Sequence, residues 1–234
     1  MRRPGSILVL DIGGTNVKML ASGQGPPRRF PSGKGMTPAR MMAGLGKAAA
    51  GWTYDAVSIG YPGPVRRGRI AAEPHNLGRG WRRFDFRAAF GRPVRIVNDS
   101  AMQALGSYRG GTMLFLGLGT GLGSALVADG TVVPLELAHL PWEKGTFEDH
   151  LGARGLEKRG KRAWRRRVEK AVARLSSALL LDEVVLGGGN ARRLKRLPPG
   201  CRLGDDAHAF EGGIRLWDPV TAGGSRAPRR RGQV

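Results

Sequence analysis

The sequence predicts an α/β protein with a duplicated core, and three observations predict it. Residues 6–22 and 112–130 each read as an apolar strand, a glycine-rich turn and a second apolar strand. Each of these hairpins is followed by further strands mixed with helices, the pattern of layered α/β architectures. The 234 residues, 41% of them hydrophobic, suffice for one large or two small domains with a core of ordinary size. The halves are not close sequence repeats, so the duplication is one of architecture.

The elements follow in order. Residues 7–10 are a continuous apolar run ending at Asp11, as expected of a strand buried on both faces. Residues 17–20 pair back on it as a hairpin. Gly, Pro, Arg and Ser make 23–37 a loop. The Ala/Met-rich stretch 38–50 reads as a helix, weakened by Gly44 and Gly46. Residues 56–59 are a short strand running into the turn Gly60-Tyr61-Pro62-Gly63-Pro64. Residues 93–97 form another strand, ended by Asn98-Asp99, with Ser100 as N-cap of a helix to about 107.

The second half opens with the hairpin at Thr112. Residues 163–181 are the clearest helix: Val168, Val172, Leu175 and Leu179 recur on one face, and Arg165, Arg166, Arg167, Lys170 and Arg174 crowd the rest. Residues 183–186 are a strand leading into Gly187-Gly188-Gly189-Asn190, and a short basic helix covers 191–197 before Pro198-Pro199. Residues 219–234 are rich in Gly, Arg and Pro and are expected to be disordered. The expected divisions are 1–109, 110–217 and a basic tail, 218–234.

Composition narrows the function classes. The single cysteine, Cys201, excludes an intramolecular disulfide framework and a Cys-rich zinc site. The apolar run at 7–10 is broken by Asp11 and is too short for a signal peptide. No stretch approaches the ~20 apolar residues of a membrane span. A cytoplasmic protein without a membrane partner is expected. The net charge is +21, from 39 basic and 18 acidic residues, and 31 of the basic residues are arginine. Such a field attracts polyanions, although solvated charge in an arginine-biased proteome produces the same count. Aromatics are only 6% of the chain, which counts against base stacking on nucleic acid.

Three nucleotide motifs can be tested against the glycines. A dinucleotide fingerprint opens a helix, but Gly117, Gly119, Gly121 and Gly123 alternate and lead into a strand at 124–128. A P-loop requires Ser or Thr after its lysine, and Arg162 follows Gly160-Lys161. What remains is the hairpin type, Asp11-Ile12-Gly13-Gly14-Thr15-Asn16 and Leu118-Gly119-Thr120-Gly121, whose successive amides can form anion-binding nests. Asp11 can steer a Mg²⁺ ion through water, because Mg²⁺ keeps most of its hydration. Either turn alone reads equally as an ordinary β-turn; two of them in similar halves fit a phosphate chain held in a cleft.

The carboxylates supply the acceptor side. Asn98-Asp99 stands at a strand's C-terminal end before a helix, where α/β proteins place substrate-handling groups. Asp99 can accept a hydroxyl proton during phosphoryl transfer, and Asn98 can bond a neighbouring hydroxyl; the pair reads equally as a helix cap. Glu136 and His139, three apart, share a face of a helical turn. They suit the vicinal hydroxyls of a sugar, or else a surface ion pair. Glu148 is a third carboxylate.

Together these residues resemble the ROK family of sugar kinases (repressor, open reading frame, kinase), in its polyphosphate glucokinase branch, over about residues 6–217. The resemblance implies a two-domain hexokinase/actin-like (ribonuclease H-like) α/β fold with a central cleft. Asp11 to Lys18 is similar to the first phosphate motif, with Lys18 where polyphosphate-type members carry a lysine. Residues 116–124 are similar to the second. Pro62-Gly63 resembles the turn beside the sugar, and Asn98-Asp99 the glucose-binding pair, which implies Asp99 as catalytic base. Glu136 and His139 resemble the E-x-G-H sugar motif, with Ala138 in place of its glycine, and Glu148 fits the later sugar-contacting glutamate. Gly187, Gly188 and Gly189 are similar to the adenosine-side glycines.

The implied reaction is phosphoryl transfer from polyphosphate, ATP or both, with Mg²⁺, to the 6-hydroxyl of glucose. The segment 154–170, nine basic and two acidic residues, would draw a phosphate polymer. A homodimer is the expected assembly. Two other readings stay open: an N-acylhexosamine kinase, to which the loop around Ala138 points, and a non-catalytic polyanion or sugar binder using the charge and the tail arginines Arg226, Arg229, Arg230 and Arg231.

Overall fold

A computed structural model describes residues 3–218, so the tail arginines and the disorder expected at 219–234 lie outside the described residues. The first half runs β1 (Ile7–Ile12), β2 (Asn16–Ala21), β3 (Arg28–Pro31), α1 (Pro38–Ala48), β4 (Ala56–Tyr61), β5 (Val65–Arg66), β6 (Arg69–Ile70), α2 (Phe86–Phe90), β7 (Val94–Asn98) and α3 (Asp99–Ser107). Its main sheet has the order β3-β2-β1-β4-β7. The hairpin pairs are antiparallel, whereas β4 and β7 add in parallel to β1.

The second half repeats the plan with β8 (Thr112–Leu118), β9 (Leu122–Ala128), β10 (Thr131–Leu135), α4 (Phe147–Leu151), α5 (Ala153–Leu179), β11 (Glu183–Gly187), β12 (Cys201–Leu203) and α6 (His208–Arg215). Its sheet order, β10-β9-β8-β11-β12, is the same topology, with β11 parallel to β8 and β12 parallel to β11. The expected architectural duplication is therefore present strand for strand.

Every residue of β1 and of β4 is buried, as their continuous apolar runs require when helices or loops cover both faces. Thr37 caps α1 by accepting the Arg40 N–H, and Pro38 occupies the first helical position, where a missing N–H costs nothing. A reciprocal capping box between Thr146 and Asp149 starts α4.

Several expectations need correction. The loop expected at 23–37 contains β3, an edge strand whose Phe30 alone packs on the core. The cap of α3 is Asn98, not Ser100: its Oδ1 accepts the Ser100 and Ala101 N–H groups at 3.0 and 3.3 Å. The helix expected at 163–181 begins at Ala153 and is broken at Gly160, whose φ of 72° no helix interior accommodates. Val168, Val172 and Leu175 are buried as expected, but Leu179 is exposed at the helix end. The helix expected at 191–197 is only a 3-10 turn, Ala191–Arg193, because Leu194 already leaves helical backbone.

The halves exchange helices. α3 leaves β7 of the first sheet and packs on β8, β9 and β10 of the second, while α6, last among the described residues, returns to β1 and β4 of the first. The two helices cross at contact distance because glycines face each other's backbone. A Cβ on Gly106 would overlap the His208 carbonyl, and one on Gly212 would overlap that of Met102. Ser58, fully buried on β4, donates to the Gly213 carbonyl at 2.6 Å and ties α6 to the first sheet. Gly212→Val should therefore destabilise the chain by about 3 kcal/mol, the upper end of ordinary overpacking. Chemical denaturation checks this; an unchanged midpoint would show that the crossing is not tight.

Candidate active site

The parallel strands of the first sheet end together and deliver the site. Asp11 of β1 lies beside Gly60 of β4 in the ladder, and Tyr61 beside Asn98 of β7. Asp11, Pro62-Gly63, Asn98 and Asp99 thus stand along one carboxyl edge, the edge where open α/β sheets bind ligands. Asn98 does two positioning jobs. Its oxygen caps α3, and its Nδ2 donates to the Gly63 carbonyl at 3.1 Å, fixing the Pro62-Gly63 turn. Tyr61 packs under that turn so closely that a Cβ on Gly63 would lie 2.9 Å from its ring.

Asp99, at the first position of α3, accepts the Ser100 N–H at 2.7 Å through Oδ1. Burial, then the neighbouring Asp11 carboxylate, push its pKa from the ordinary 3.8 up to about 7. The Ser100 hydrogen bonds oppose the shift, and Glu136, from the second half, adds to it. Asp11 is itself buried, with its pKa raised by desolvation and by Asp206, and lowered by Lys18. Lys18 sits 4.0 Å from Asp11 and 3.4 Å from Asp206, so one ammonium links the first hairpin to the loop after β12.

The two glycine turns flank these carboxylates. In the first, Gly13 donates to the Asn16 carbonyl at 2.9 Å, and Ser32 secures the turn by donating to the Gly13 and Thr15 carbonyls at 2.6 and 2.9 Å. Gly14 and Thr15 form the exposed tip. In the second, the Gly119 N–H is shared between the Gly117 and Gly121 carbonyls, both at 3.1 Å. The outward carbonyls of that turn are taken by Ala153 N–H, at the start of α5, and by Asn190, whose Nδ2 donates to Gly119 at 3.1 Å. Thr120 is left exposed at the tip. Gly188 must be glycine: its φ is 79°, and a Cβ there would lie 2.7 Å from the Leu118 backbone.

β9 meets α3 where Gly123 packs on Ser100, so the second turn and Asp99 belong to one contact region. Ser124, two strand positions from that turn, donates to the Leu135 carbonyl at 2.9 Å and accepts the Leu137 N–H at 3.2 Å. It thereby pins the 3-10 turn Leu137–His139 that carries Glu136 and His139. Both of those side chains are exposed and without hydrogen-bond partners among the described residues, as groups awaiting a polar ligand would be. Ala138, between them, is buried with Trp142 and Phe147 in the second core, so its methyl group is absorbed by packing. Glu148 lies at the second turn, where its Oε2 accepts the Leu122 N–H at 3.1 Å.

Beyond the second turn, Gly187, Gly188 and Gly189 line a cavity of about 140 Å³ together with Arg192, Asp205 and Asp206. This is small against the ~300–1,000 Å³ typical of small-molecule pockets, and two carboxylates face it.

Other contributors were not foreseen. Asn76 lies against Gly14, whose Cβ would sit 3.3 Å from that of Asn76, so the loop around residue 76 covers the first turn. Glu73 folds that loop by accepting N–H groups of Gly80, Trp81 and Arg82 at 3.0, 3.1 and 3.3 Å. A Pro/Gly-rich composition marked this stretch only as irregular. Ser32, Ser124, Asn190 and Asp206 act through tertiary contacts, which spacing does not reveal.

No family model matches the chain. It is 29% identical over 213 residues to the polyphosphate glucokinase of Mycobacterium leprae, covering 83% of this chain and 62% of that protein. It is 26% identical over 213 residues to the polyphosphate glucokinase of Mycobacterium tuberculosis, with 83% and 76% covered. The chain thus spans less than two thirds of the first relative's length. Among solved structures, the inorganic polyphosphate/ATP-glucomannokinase of Arthrobacter sp. strain KM matches with a TM-score of 0.73 at 24% identity, covering 91% of this chain and 97% of that one. The ROK glucokinase of Streptomyces griseus, solved with glucose and AMPPNP, matches with a TM-score of 0.72 at 17% identity, covering 91% and 99%.

Twin sheets of one topology around shared carboxylates define the class: a hexokinase/actin-like α/β protein. Within that class, the chain is similar in sequence to the mycobacterial polyphosphate glucokinases and in fold to the ROK glucokinase structure.

The geometry assigns Asn98 to positioning. Asn98→Ala should cost about 1–2 kcal/mol through the lost cap and release Gly63. Thermal unfolding checks the first effect. Backbone amide exchange at Gly63 checks the second, and unchanged protection there would contradict the tether.

Proposed function

We propose that this chain phosphorylates a hexose, glucose by preference, at its 6-hydroxyl. The observation that carries the reading is Asp99: a half-buried carboxylate with a pKa near 7, flanked by two glycine turns whose tips are open. A general base works best when its pKa lies near the operating pH. Asp99 takes the hydroxyl proton as the new O–P bond forms; the donor's bridging P–O bond breaks, and the shortened donor leaves with the electron pair. The amides around Gly14, Thr15, Thr120 and Gly121 hold donor oxygens, and Lys18 lies within reach of the same space. Positioning and fixed dipoles carry the rate, since phosphoryl transfer leaves little covalent work to the protein. Glu136 and His139 offer an acceptor and a donor to sugar hydroxyls, and Glu148 borders the second turn.

Asp11 fits the role of metal-steering carboxylate. It is buried among like charges that a cation would relieve. Among the described residues no cluster of three or more ligating side chains exists, so water and donor oxygens would complete the shell, as Mg²⁺ prefers. Mg²⁺ bound there supplies charge neutralisation for the donor.

The donor is polyphosphate, ATP or both. The polyphosphate reading is supported by the names of the mycobacterial relatives, by the basic face of α5 and by the small, acidic cavity beside Gly187–Gly189. That cavity is a poor host for a nucleoside. No feature favours an N-acylhexosamine over glucose, since Ala138 faces the core.

A coupled glucose 6-phosphate assay run in parallel with polyphosphate and ATP tests the reading. Product should form with polyphosphate at a higher kcat/KM than with ATP. A base that must be unprotonated makes log kcat/KM rise with pH up to about 7 and level off above it. Asp99→Asn should lower kcat about 10³-fold with little change in glucose affinity. Absence of product with both donors, across several hexoses, would contradict the proposal.

A further inference from the structure

A sizeable cavity lies outside the site above. It is an open groove of about 810 Å³ along β7, the outermost strand of the first sheet, walled by β6, by the segment 81–87 and by Leu216. Two strand spacings, about 10 Å, separate β7 from the strand bearing Asp11. Six arginines line the groove: Arg67, Arg69, Arg82, Arg83, Arg87 and Arg95. All six are exposed.

Only Arg95 has internal partners, the Leu216 carbonyl and the Trp217 ring. The other five guanidinium groups form no hydrogen bond or ion pair among the described residues. The single acidic liner, Asp85, is committed to capping α2 through the Ala88 N–H at 3.0 Å. Five uncompensated cations around one groove repel one another, and a bound polyanion removes that penalty. On α5, Arg159, Arg165 and Arg167 are engaged by His150, the Arg193 carbonyl and Glu143, whereas Arg162 and Arg166 form no hydrogen bond or ion pair among the described residues.

We propose that this groove is a second binding site for a condensed-phosphate chain, separate from the two glycine turns, and that it anchors the polymer whose end reacts. Guanidinium forks match phosphate oxygens in pairs, and no lysine lines the groove. Of its aromatic liners, Trp81 and Phe86 are only 1% and 3% exposed, and Phe84 is half-buried with its ring edge-to-face against Phe86, which leaves little stacking face and favours a chain without bases. The groove stands on its own geometry; the choice of condensed phosphate rests on the donor reading above.

Direct binding tests the proposal without requiring turnover. Long-chain polyphosphate is titrated into the wild-type chain, into R82E/R83E/R87E, and into K47E/R109E/R196E, a reversal of equal charge away from the groove, across a salt series. The groove variant should lose more than about tenfold in affinity, and its salt slope should fall by about three, one per lost phosphate contact. The control should change less than about twofold. R82Q/R83Q/R87Q, milder for folding, should fall between them, with circular dichroism confirming native structure. Equal losses in groove and control variants would assign the effect to the whole-molecule field and overturn the proposal; so would no loss in either. A larger loss for an RNA homopolymer than for polyphosphate would make the groove a nucleic-acid surface and overturn it as well. If no donor yields glucose 6-phosphate yet the groove variant loses polyphosphate binding, the kinase reading fails alone.

Discussion

The burial of one carboxylate beside another is the constraint on which the candidate site depends. Asp11 ends the central strand of one sheet, and Asp99 opens the helix that leaves the same sheet, so parallel strands of matched register bring like charges together. Desolvation is the larger cause and the Asp11 charge the second, and together they hold the Asp99 proton to about pH 7. Lys18 relieves Asp11 only partly, because it divides itself between Asp11 and Asp206. Under the proposed function, the same excess of negative potential would suit Asp99 to accepting a proton and Asp11 to partnering a cation.

That arrangement depends on how the halves are joined. α3 begins at Asp99 in the first sheet and ends against the second, and α6 makes the reverse journey. Their glycine-to-backbone crossing, Gly106 on His208 and Gly212 on Met102, fixes the distance between the sheets. Gly123 on Ser100 carries the registration to the second glycine turn. Asp99 therefore sits on the element that bridges the sheets, and its surroundings report their relative position. The exposed Lys18–Asp206 pair contributes little stability in water; under the proposed function, its place between the first turn and the loop after β12 would bring it near the donor's charge.

Much of this was legible in the sequence where the signal is local. The two hairpins announced themselves by continuous apolar runs around glycine turns, and Asn98-Asp99 by its place between a strand and a helix. The elements that escaped notice have weak local signals. β3 buries only Phe30 of four residues, β12 is three residues long, and α6 carries Gly212 and Gly213, which lower helix propensity but permit the crossing. The break at Gly160 was hidden because helical spacing resumes on its far side. Ser32, Ser124, Asn190 and Asn76 reach the turns from distant parts of the chain, and only the fold brings them there. The arginine excess was visible as a number, but its concentration along β7 was not, since its members come from three separate segments.

The most direct measurement is the titration of the Asp99 carboxyl itself, by carbon NMR of the labelled protein with and without the Asp11→Asn substitution. The account predicts a midpoint near 7 in the native chain and a fall once Asp11 loses its charge, with the midpoint still above the ordinary aspartate value because burial remains. A native midpoint near 4, or one that ignores the substitution, would contradict it.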